Sequence, residues 1–193
     1  MLNIGNDIID LQLAKTESDW QRIGFLEKQF TEKEQKEIYN SENPFLKVWL
    51  FWSMKEAAYK CYTQKVKKRF FAPQKFECLL TKEDEGVVTF QNTNFYTTTF
   101  FDASYIHTIA EDKLIKGGHK IRVFLGVGSP NNLDKDITKR LQENTGILSS
   151  EIEKRKIQIG VPQFYHHHKF LTNSCSISHH GNYGAYAFII NGN

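Results

Sequence analysis

The chain has 193 residues and a formal net charge of +3, and 40% of its residues are hydrophobic. This length allows one globular domain with a buried core, and the mildly positive balance suits an acidic partner or a polyphosphate. Three widely spaced cysteines argue against a disulfide framework or a Cys-x-x-Cys zinc site, and they favour a reducing compartment. We expect a single domain over residues 1–193, located in the cytoplasm.

Secretion and membrane signals are not expected. Asp7 and Asp10 interrupt the apolar run from Met1 to Leu11, whereas a signal peptide has an uninterrupted apolar core. No apolar run approaches the about 20 residues that a membrane-spanning helix needs. We therefore predict a soluble protein without a membrane partner.

The first predicted element is a short buried strand from Leu2 to Leu11, which is rich in Ile and carries carboxylates near its end. An aspartate in such a place is commonly a turn former or a helix cap, because its side chain accepts hydrogen bonds from nearby amides. On the residues alone, Asp7 therefore favours a capping role.

Residues 18–39 have the pattern of two helical pieces. Thr31 and Glu34 have the Thr-x-x-Glu arrangement of a capping box, in which each side chain binds the other residue's backbone amide. We therefore predict a helix start at Thr31, and the segment from Asn40 to Pro44 predicts a turn.

A helix is predicted over Val48 to Lys60, which contains neither Gly nor Pro. One stripe of its helical wheel is apolar or small and should be buried: Leu50, Met54, Ala57, Ala58 and Cys61. The neighbouring stripe mixes aromatic and polar residues: Trp49, Ser53, Glu56 and Lys60. Glu56 and Lys60 could form an ordinary i,i+4 ion pair. Their aromatic neighbours also make this stripe a candidate site.

The segment from Gln64 to Phe71 places four basic residues beside two phenylalanines. Such a segment can bind nucleic acid through phosphate contacts and base stacking. The remaining charge is too mixed to suggest the continuous basic face that this binding needs. We expect no nucleic-acid partner, and a solvated loop is the commoner interpretation.

The middle of the chain has the pattern of several short strands with polar or Gly-containing breaks, which suggests an antiparallel sheet. The predicted strands are Phe76 to Leu80, Val87 to Phe90, Phe95 to Phe101, Tyr105 to Ala110 and Lys120 to Gly126. A helix is predicted over Asp134 to Asn144 and a further strand over Glu151 to Ile159. No internal repeat is visible in the sequence.

Histidines cluster twice near the end of the chain. His166 to His168 cannot all face one ion on an extended chain, so we do not expect a zinc site there. His179 and His180 precede a turn and a last predicted strand, Tyr183 to Ile190. For that pair, a buried histidine held by a hydrogen bond is the ordinary interpretation.

Three segments, in order, resemble the motifs of the 4′-phosphopantetheinyl transferases. Trp52 to Lys60 is similar to the family's aromatic-(Ser/Cys/Thr/Ala)-x-Lys-Glu-(Ala/Ser)-x-x-Lys signature. Ile4 to Ile8 resembles its Gly-x-Asp strand, and Ser176 to His180 resembles the Ser-x-Ser-His strand of the single-domain, holo-acyl-carrier-protein-synthase type. The resemblance covers about residues 1–62 and 155–190.

The resemblance implies an α+β fold in which an antiparallel sheet packs against the long signature helix. The middle of this chain is longer than expected of the single-domain type. We therefore predict an enlarged, β-rich middle with an insertion at about residues 85–150. In the single-domain type the coenzyme sites form between neighbouring subunits, commonly in a homotrimer, so Ser178 and His179 would act in trans; a dimer or a monomer is the alternative.

The implied activity is transfer of 4′-phosphopantetheine from coenzyme A to a serine of an acidic apo acyl or peptidyl carrier protein, as in fatty-acid, polyketide or peptide synthesis. The implied metal is Mg²⁺, bound by Asp7 and Glu56, with Glu56 as the favoured base and a metal-bound water as the alternative. Lys60 would complete the catalytic group by binding the diphosphate or protonating the leaving phosphate. Asp10 is assigned a capping or supporting role. The basic segment after the signature helix becomes a docking patch for an acidic surface.

The resemblance also implies four coenzyme-binding residues: Lys55, Lys60, Ser178 and His179. Lys55 would contact a phosphate from the adjoining face of the helix, and Ser178 with His179 would contact the nucleotide 3′-phosphate.

Two positions depart from the family pattern. Gly160-Val161-Pro162 resembles the family's Gly-Lys-Pro, but Val161 replaces a lysine that helps to hold a coenzyme phosphate, and a nearby base such as Lys169 could compensate. Asn6 stands where an apolar residue is usual. These departures leave open an alternative function, a noncatalytic module that binds coenzyme A or a carrier protein.

Overall fold

The computed structural model of the protein describes residues 2–70, 72–113, 123–157 and 160–190. We refer to residues 2–113 as the first half and to residues 123–190 as the second half. The first half contains four helices: α1 (Leu11–Glu17), α2 (Phe25–Gln29), α3 (Glu32–Tyr39) and α4 (Pro44–Val66). Its strands are β1 (Ile4–Asp10), β2 (Glu77–Leu80), β3 (Glu85–Phe90), β4 (Thr93–Phe101) and β5 (Tyr105–Glu111). They form one antiparallel sheet in the order β1-β5-β4-β3-β2.

The second half contains one helix and six strands among its described residues. These elements are β6 (Val123–Gly128), α5 (Leu133–Thr145), β7 (Ile152–Lys156), β8 (Pro162–His166), β9 (Lys169–Phe170), β10 (Thr172–His180) and β11 (Tyr183–Ile190). Two antiparallel sheets result, β10-β11-β6 and β7-β8-β9. The α+β class and the antiparallel pairing agree with the prediction.

The two halves repeat one topology. In each half the first strand pairs with the last strand, and the last strand pairs with the strand before it. A helix follows the first strand, and antiparallel strands follow the helix. Strands β9 and β10 are separated by a single residue, Leu171, whose amide donates to the Phe164 carbonyl at 2.8 Å. With β9 and β10 counted together as the equivalent of β4, the strand order β7-β8-β9/β10-β11-β6 of the second half therefore matches the order β2-β3-β4-β5-β1 of the first half.

The predicted insertion at about residues 85–150 overlaps elements of both halves. Strands β3, β4 and β5 are the three inner strands of the first sheet, and β5 is the strand that pairs with β1. Strand β6 and helix α5 open the second half. The chain is longer than expected because it forms a second set of strands around a second helix.

The helix caps agree with the predictions. Thr31 and Glu34 form the predicted capping box at the start of α3. The Asp10 carboxylate accepts hydrogen bonds from the amides of Gln12 and Leu13 and so caps α1, a helix that the sequence pattern did not predict. The first of the two helical pieces predicted within residues 18–39 is shorter than expected, because Gly24 at φ 81° precedes α2.

Helix α4 lies directly against β1 at Gly5. A Cβ atom at Gly5 would lie 2.0 Å from the carbonyl oxygen of Ala57 and 2.6 Å from the amide nitrogen of Cys61. Residues two apart on a strand share a face, so Asp7 points toward the same helix as Gly5. The absence of a side chain at Gly5 thus sets the distance between Asp7 and α4.

Strand β1 also joins the two halves, through side chains of β10. Ser174 Oγ accepts from the amide of Ile4 and Ser176 Oγ accepts from the amide of Asn6, both at 2.9 Å. Nδ1 of His180 accepts from the amide of Asp10 at 2.9 Å. Alternate side chains of one strand therefore satisfy the amides of β1 that point away from β5.

The side chain of Asn6 also links the two halves. Its Nδ2 atom donates to Ser178 Oγ at 2.9 Å and lies 3.3 Å from Nε2 of His107. Burial, together with the positive charge of Lys60, lowers the pKa of His107 to about 4. The imidazole is therefore neutral near neutral pH, and Nε2 accepts from Asn6. This network accounts for a polar residue where the family pattern has an apolar one.

Lys55 ties α4 to α3 and to the segment before β2. Its ammonium donates to Glu34 Oε2 at 2.7 Å and to the carbonyls of Phe76 and Pro73 at 2.6 and 3.1 Å. The Glu34 carboxylate also accepts from the amide of Cys78 at 2.7 Å. Both charged side chains are buried, so each depends on the other to offset its desolvation.

No helix in the described ranges is long and apolar enough to cross a lipid bilayer.

We expect Gly5→Ala to lower the free energy of unfolding by about 3 kcal/mol or more, because the methyl would meet backbone atoms that cannot rotate away. The matched control is Gly128→Ala in β6, where the nearest atom to a new Cβ is Asp136 Oδ2 at 3.7 Å. Urea unfolding of both variants measures the difference. Equal transition midpoints for the two would contradict the contact between α4 and β1.

We expect Lys55→Met to cost about 3–5 kcal/mol, because it leaves the Glu34 carboxylate buried without its cation. The double variant Lys55→Met/Glu34→Gln should recover part of this loss. The control is Lys82→Met, which removes an exposed ion pair with Glu85 and should leave stability almost unchanged. Thermal and urea unfolding of the three variants report the result, and a fully stable Lys55→Met protein would refute the role.

Candidate active site

Helix α4 presents one half-exposed stripe to the surface. The predicted inner stripe, Leu50, Met54, Ala57, Ala58 and Cys61, is fully buried or nearly so. Trp49 and Ser53, which were predicted to lie beside Glu56 on the neighbouring stripe, are buried as well. The half-exposed stripe consists of Trp52, Glu56, Tyr59 and Lys60. The charged pair therefore lies between two aromatic side chains.

Asp7 and Lys60 form a direct ion pair between β1 and α4. Lys60 Nζ donates to Asp7 Oδ1 at 2.8 Å. Burial raises the pKa of Asp7, and the adjacent Lys60 charge opposes that rise. Among the described residues, Asp7 Oδ2 has no hydrogen-bond partner although it is buried. One carboxylate oxygen of Asp7 is thus left to bind something else.

Glu56 lies close enough to Asp7 for the two charges to interact. Burial, and after it the negative charge of Asp7, raises the pKa of Glu56, while the charge of Lys60 lowers it; the net pKa is about 7. A carboxyl group with a pKa near 7 exchanges its proton readily at neutral pH, which suits a general base. The two side chains come from distant parts of the sequence and meet only because α4 lies on β1.

The Asp7 and Glu56 carboxylates fit a hard divalent cation. The two carboxylates repel each other, and the buried Ser53 hydroxyl lies near enough to Asp7 to help lower its pKa, so carboxylate and hydroxyl oxygens come together here. Mg²⁺ prefers such oxygen ligands and keeps several waters, so two carboxylates suffice. No three His, Cys, Asp or Glu side chains converge on a metal position anywhere in the described part of the chain, the His166–His168 run included.

A groove between the two halves begins at Lys60. We call it the inner groove; its volume is about 240 Å³. Its lining includes residues of α4, of the segment after α4, of the Gly160 turn and of β10. These residues are Tyr59, Lys60, Thr63, Gln64, Arg69, Gly160, Val161, Pro162, Cys175, Ser176 and Ile177.

A second cavity of about 290 Å³, the outer groove, continues from the inner groove, since both include Gly160, Pro162 and Ile177. The outer groove is also lined by Lys154, Lys156 and His179. The cations Lys60, Arg69, Lys154 and Lys156 therefore follow one another along a continuous cleft. Such a cleft favours a polyanionic ligand.

The structure separates the predicted pair Ser178 and His179. Adjacent residues on a strand point to opposite faces. Ser178 is buried against Asn6, whereas His179 is exposed and lines the outer groove. The two side chains cannot bind the same phosphate together in this arrangement, and His179 is the one that faces a ligand.

Lys55 is also placed differently from the sequence-based expectation. Its ammonium is 1% exposed and bound to Glu34 and two carbonyls. This arrangement favours a structural role over the predicted phosphate contact. Asp7, Glu56 and Lys60 are the predicted site residues that the fold brings together.

Sequence reasoning missed the lysines of β7. Lys154 and Lys156 alternate along a predicted strand, so they share a face, and this spacing could have indicated a cationic surface. Lys154 is paired with Asp134 at 2.5 Å. The packing of β8 and β10 determines which groove β7 faces. No local sequence pattern contains that information.

A small apolar pocket borders the other side of Glu56. It is lined by Tyr59, Phe70, Ala72, Pro73 and Phe76 together with Lys55 and Glu56. Of these residues, Tyr59 alone also lines the inner groove. Glu56 therefore borders the apolar pocket, and Tyr59 separates this pocket from the inner groove.

Comparison with known families assigns the first half. The family model described as the 4′-phosphopantetheinyl transferase superfamily matches residues 3–112, a segment that includes Asp7, Glu56 and Lys60. A search of curated proteins finds no match to the chain. Because the matched segment spans more than half of the 193 residues and contains the carboxylates and the lysine brought together by the fold, the chain belongs to the 4′-phosphopantetheinyl transferase superfamily.

Proposed function

We propose that the protein transfers the 4′-phosphopantetheine group of coenzyme A to a serine of an apo carrier protein, in a magnesium-dependent phosphoryl transfer. The observation that carries the proposal is the cluster of Asp7, Glu56 and Lys60 at the start of a cationic cleft. Carboxylates for a metal and lysines for phosphates are the groups that this reaction requires.

Coenzyme A would lie along the cleft between the two halves. Its diphosphate would be bound near Lys60, where the inner groove begins. Its nucleotide end would extend into the outer groove, where His179 and the lysines of β7 offer donors to the 3′-phosphate. The cleft thus has positive charge at the positions where the coenzyme is most negative.

Asp7 and Glu56 would hold Mg²⁺. The ion would neutralise the charge that develops on the diphosphate oxygens when the anhydride bond opens. Lys60 already interacts with Asp7 and would contribute a second positive charge from the protein itself.

The chain's own residues account for the remaining chemistry. The carrier serine oxygen forms a bond to the phosphorus that bears pantetheine, and the bond from that phosphorus to the bridging oxygen breaks. Glu56 accepts the serine proton as the general base. Adenosine 3′,5′-bisphosphate leaves along the groove, with Lys60 close to the oxygen that becomes negative.

The carrier protein would approach from the side of the apolar pocket. In-line displacement requires the attacking oxygen and the leaving oxygen on opposite sides of the phosphorus. The apolar pocket borders Glu56 and shares only Tyr59 with the inner groove. Three exposed lysines, Lys65, Lys67 and Lys68, lie at the end of α4 and would attract an acidic carrier.

One chain would suffice for a complete site. The second half of the same chain supplies β10 and the outer groove, which the resemblance to the single-domain type assigned to a neighbouring subunit. We therefore infer that His179 acts in cis. A homotrimer with shared sites is not needed to bring β10 to β1.

The alternative, a noncatalytic binding module, has less support from the fold. Asn6 has a structural role, because its side chain links the two halves. The repeated topology accounts for the length of the middle of the chain. A module that only binds the coenzyme also has no need for a raised pKa at Glu56.

We expect Asp7→Asn and Glu56→Gln each to lower transfer of labelled pantetheine by about 10²-fold or more, because each removes a metal ligand and Glu56 is also the base. Purified protein is incubated with coenzyme A, Mg²⁺ and a panel of apo acyl and peptidyl carrier proteins, and the mass gain of each carrier is measured. The control is Glu27→Gln, an exposed carboxylate on α2, which should behave like the parent. Binding of coenzyme A without transfer to any carrier would favour the noncatalytic module.

We expect Mg²⁺ to stabilise the folded protein, because it binds the folded carboxylate pair and offsets the repulsion between Asp7 and Glu56. At a concentration 100 times its dissociation constant the gain is about 2.7 kcal/mol. Thermal unfolding with and without Mg²⁺ measures the shift. Glu56→Gln should abolish the shift and Glu27→Gln should preserve it, whereas an equal shift in all three proteins would place the metal elsewhere.

A further inference from the structure

The inner groove lacks a cation at the position where the family resemblance places one. Val161 stands in the Gly-Val-Pro turn where the family pattern has a phosphate-binding lysine. Lys169, which could have compensated, lies in β9 and is not among the described residues that line either groove. The positive charge at this turn must therefore come from another part of the chain.

Arg69 brings a positive charge to the Gly160 turn from the first half of the chain. A Cβ atom built on Gly160 would lie 2.5 Å from Nη2 of Arg69. The guanidinium group therefore packs against Gly160, next to Val161, although Arg69 belongs to the first half. Both residues line the inner groove together with Lys60.

The segment that carries Arg69 is anchored on both sides. Lys67 ends α4 in the left-handed conformation, at φ 53°, and its amide donates to the Thr63 carbonyl at 2.8 Å. The Phe70 amide donates to the Tyr59 hydroxyl at 3.3 Å, and the two rings pack with centroids 5.4 Å apart. Arg69 is thus held near the part of α4 that carries Lys60.

The charge around Arg69 favours an anion. None of the described residues that line the inner groove carries a carboxylate, whereas Lys60 and Arg69 carry positive charges. The one carboxylate among the described residues that line the outer groove, Asp134, is paired with Lys154. The lining of the inner groove thus contains two cationic side chains and no carboxylate of its own, with Lys60 also bound to Asp7.

We propose that Arg69 binds the diphosphate of coenzyme A and supplies, from the segment after α4, the positive charge that Val161 does not provide. This inference rests on the proposed function. It assigns Arg69 to the diphosphate because Arg69 shares the inner groove with Lys60, while His179 and the β7 lysines line the outer groove. A guanidinium can donate to two phosphate oxygens at once, so arginine is well suited to this position.

The test is calorimetric binding of coenzyme A and of dephospho-coenzyme A, which lacks the 3′-phosphate, to the parent protein and to Arg69→Ala. We expect Arg69→Ala to weaken binding of both ligands by about 10- to 100-fold, the usual effect of losing a hydrogen bond to a charged group. Arg22→Ala, which removes an exposed arginine near Phe25 and away from the grooves, is the matched control and should bind like the parent. Arg69→Gln serves the same comparison if Arg69→Ala does not fold.

The double variant Arg69→Ala/Val161→Lys tests whether a lysine at position 161 can replace Arg69. If the two positions serve one phosphate site, the new lysine should restore part of the lost affinity for both ligands. Unchanged affinity in Arg69→Ala would overturn the inference, as would a loss confined to coenzyme A, since that would assign Arg69 to the 3′-phosphate. If the parent protein itself binds neither ligand, the proposed function fails instead.

Discussion

The contact between Gly5 and helix α4 is the constraint on which the rest of the site depends. Because Gly5 has no side chain, the backbone of α4 at Ala57 can lie against the backbone of β1. The strand's alternation then directs Asp7 toward the same helix, where it meets Lys60 and adds to the effect of burial in raising the pKa of Glu56. A longer side chain at Gly5 would separate the two carboxylates and remove the reason for a metal to bind there.

Strand β1 uses its two faces and its free edge for different purposes. One face carries Gly5 and Asp7 and forms the site with α4. The edge that does not pair with β5 is bound by the hydroxyls of Ser174 and Ser176, and Asn6 on the other face reaches Ser178. The same seven-residue strand therefore positions Asp7 and holds the second half in place. This coupling places the cationic cleft next to the carboxylates.

Much of the local structure was predictable from the sequence. The capping box at Thr31, the long helix with its buried stripe, and the final strand were confirmed, because spacing along the chain determines which side chains share a face. The same local rules place Glu56 and Lys60 one turn apart. The assignment to the superfamily followed from short motifs whose residues are adjacent in sequence.

Other features depended on contacts that only the folded chain makes. Lys55 is next to Glu56 in sequence, yet it points to a buried Glu34, and Arg69 crosses to Gly160 in the other half. Ser178 and His179 are consecutive but lie on opposite faces of β10. The sequence by itself determined the long helix α4, α3 and α5, many of the strands and the residue types of the site. The tertiary structure decided which of these residues meet, because residues far apart in the chain come together only through the packing of α4 on β1 and of β10 along its edge.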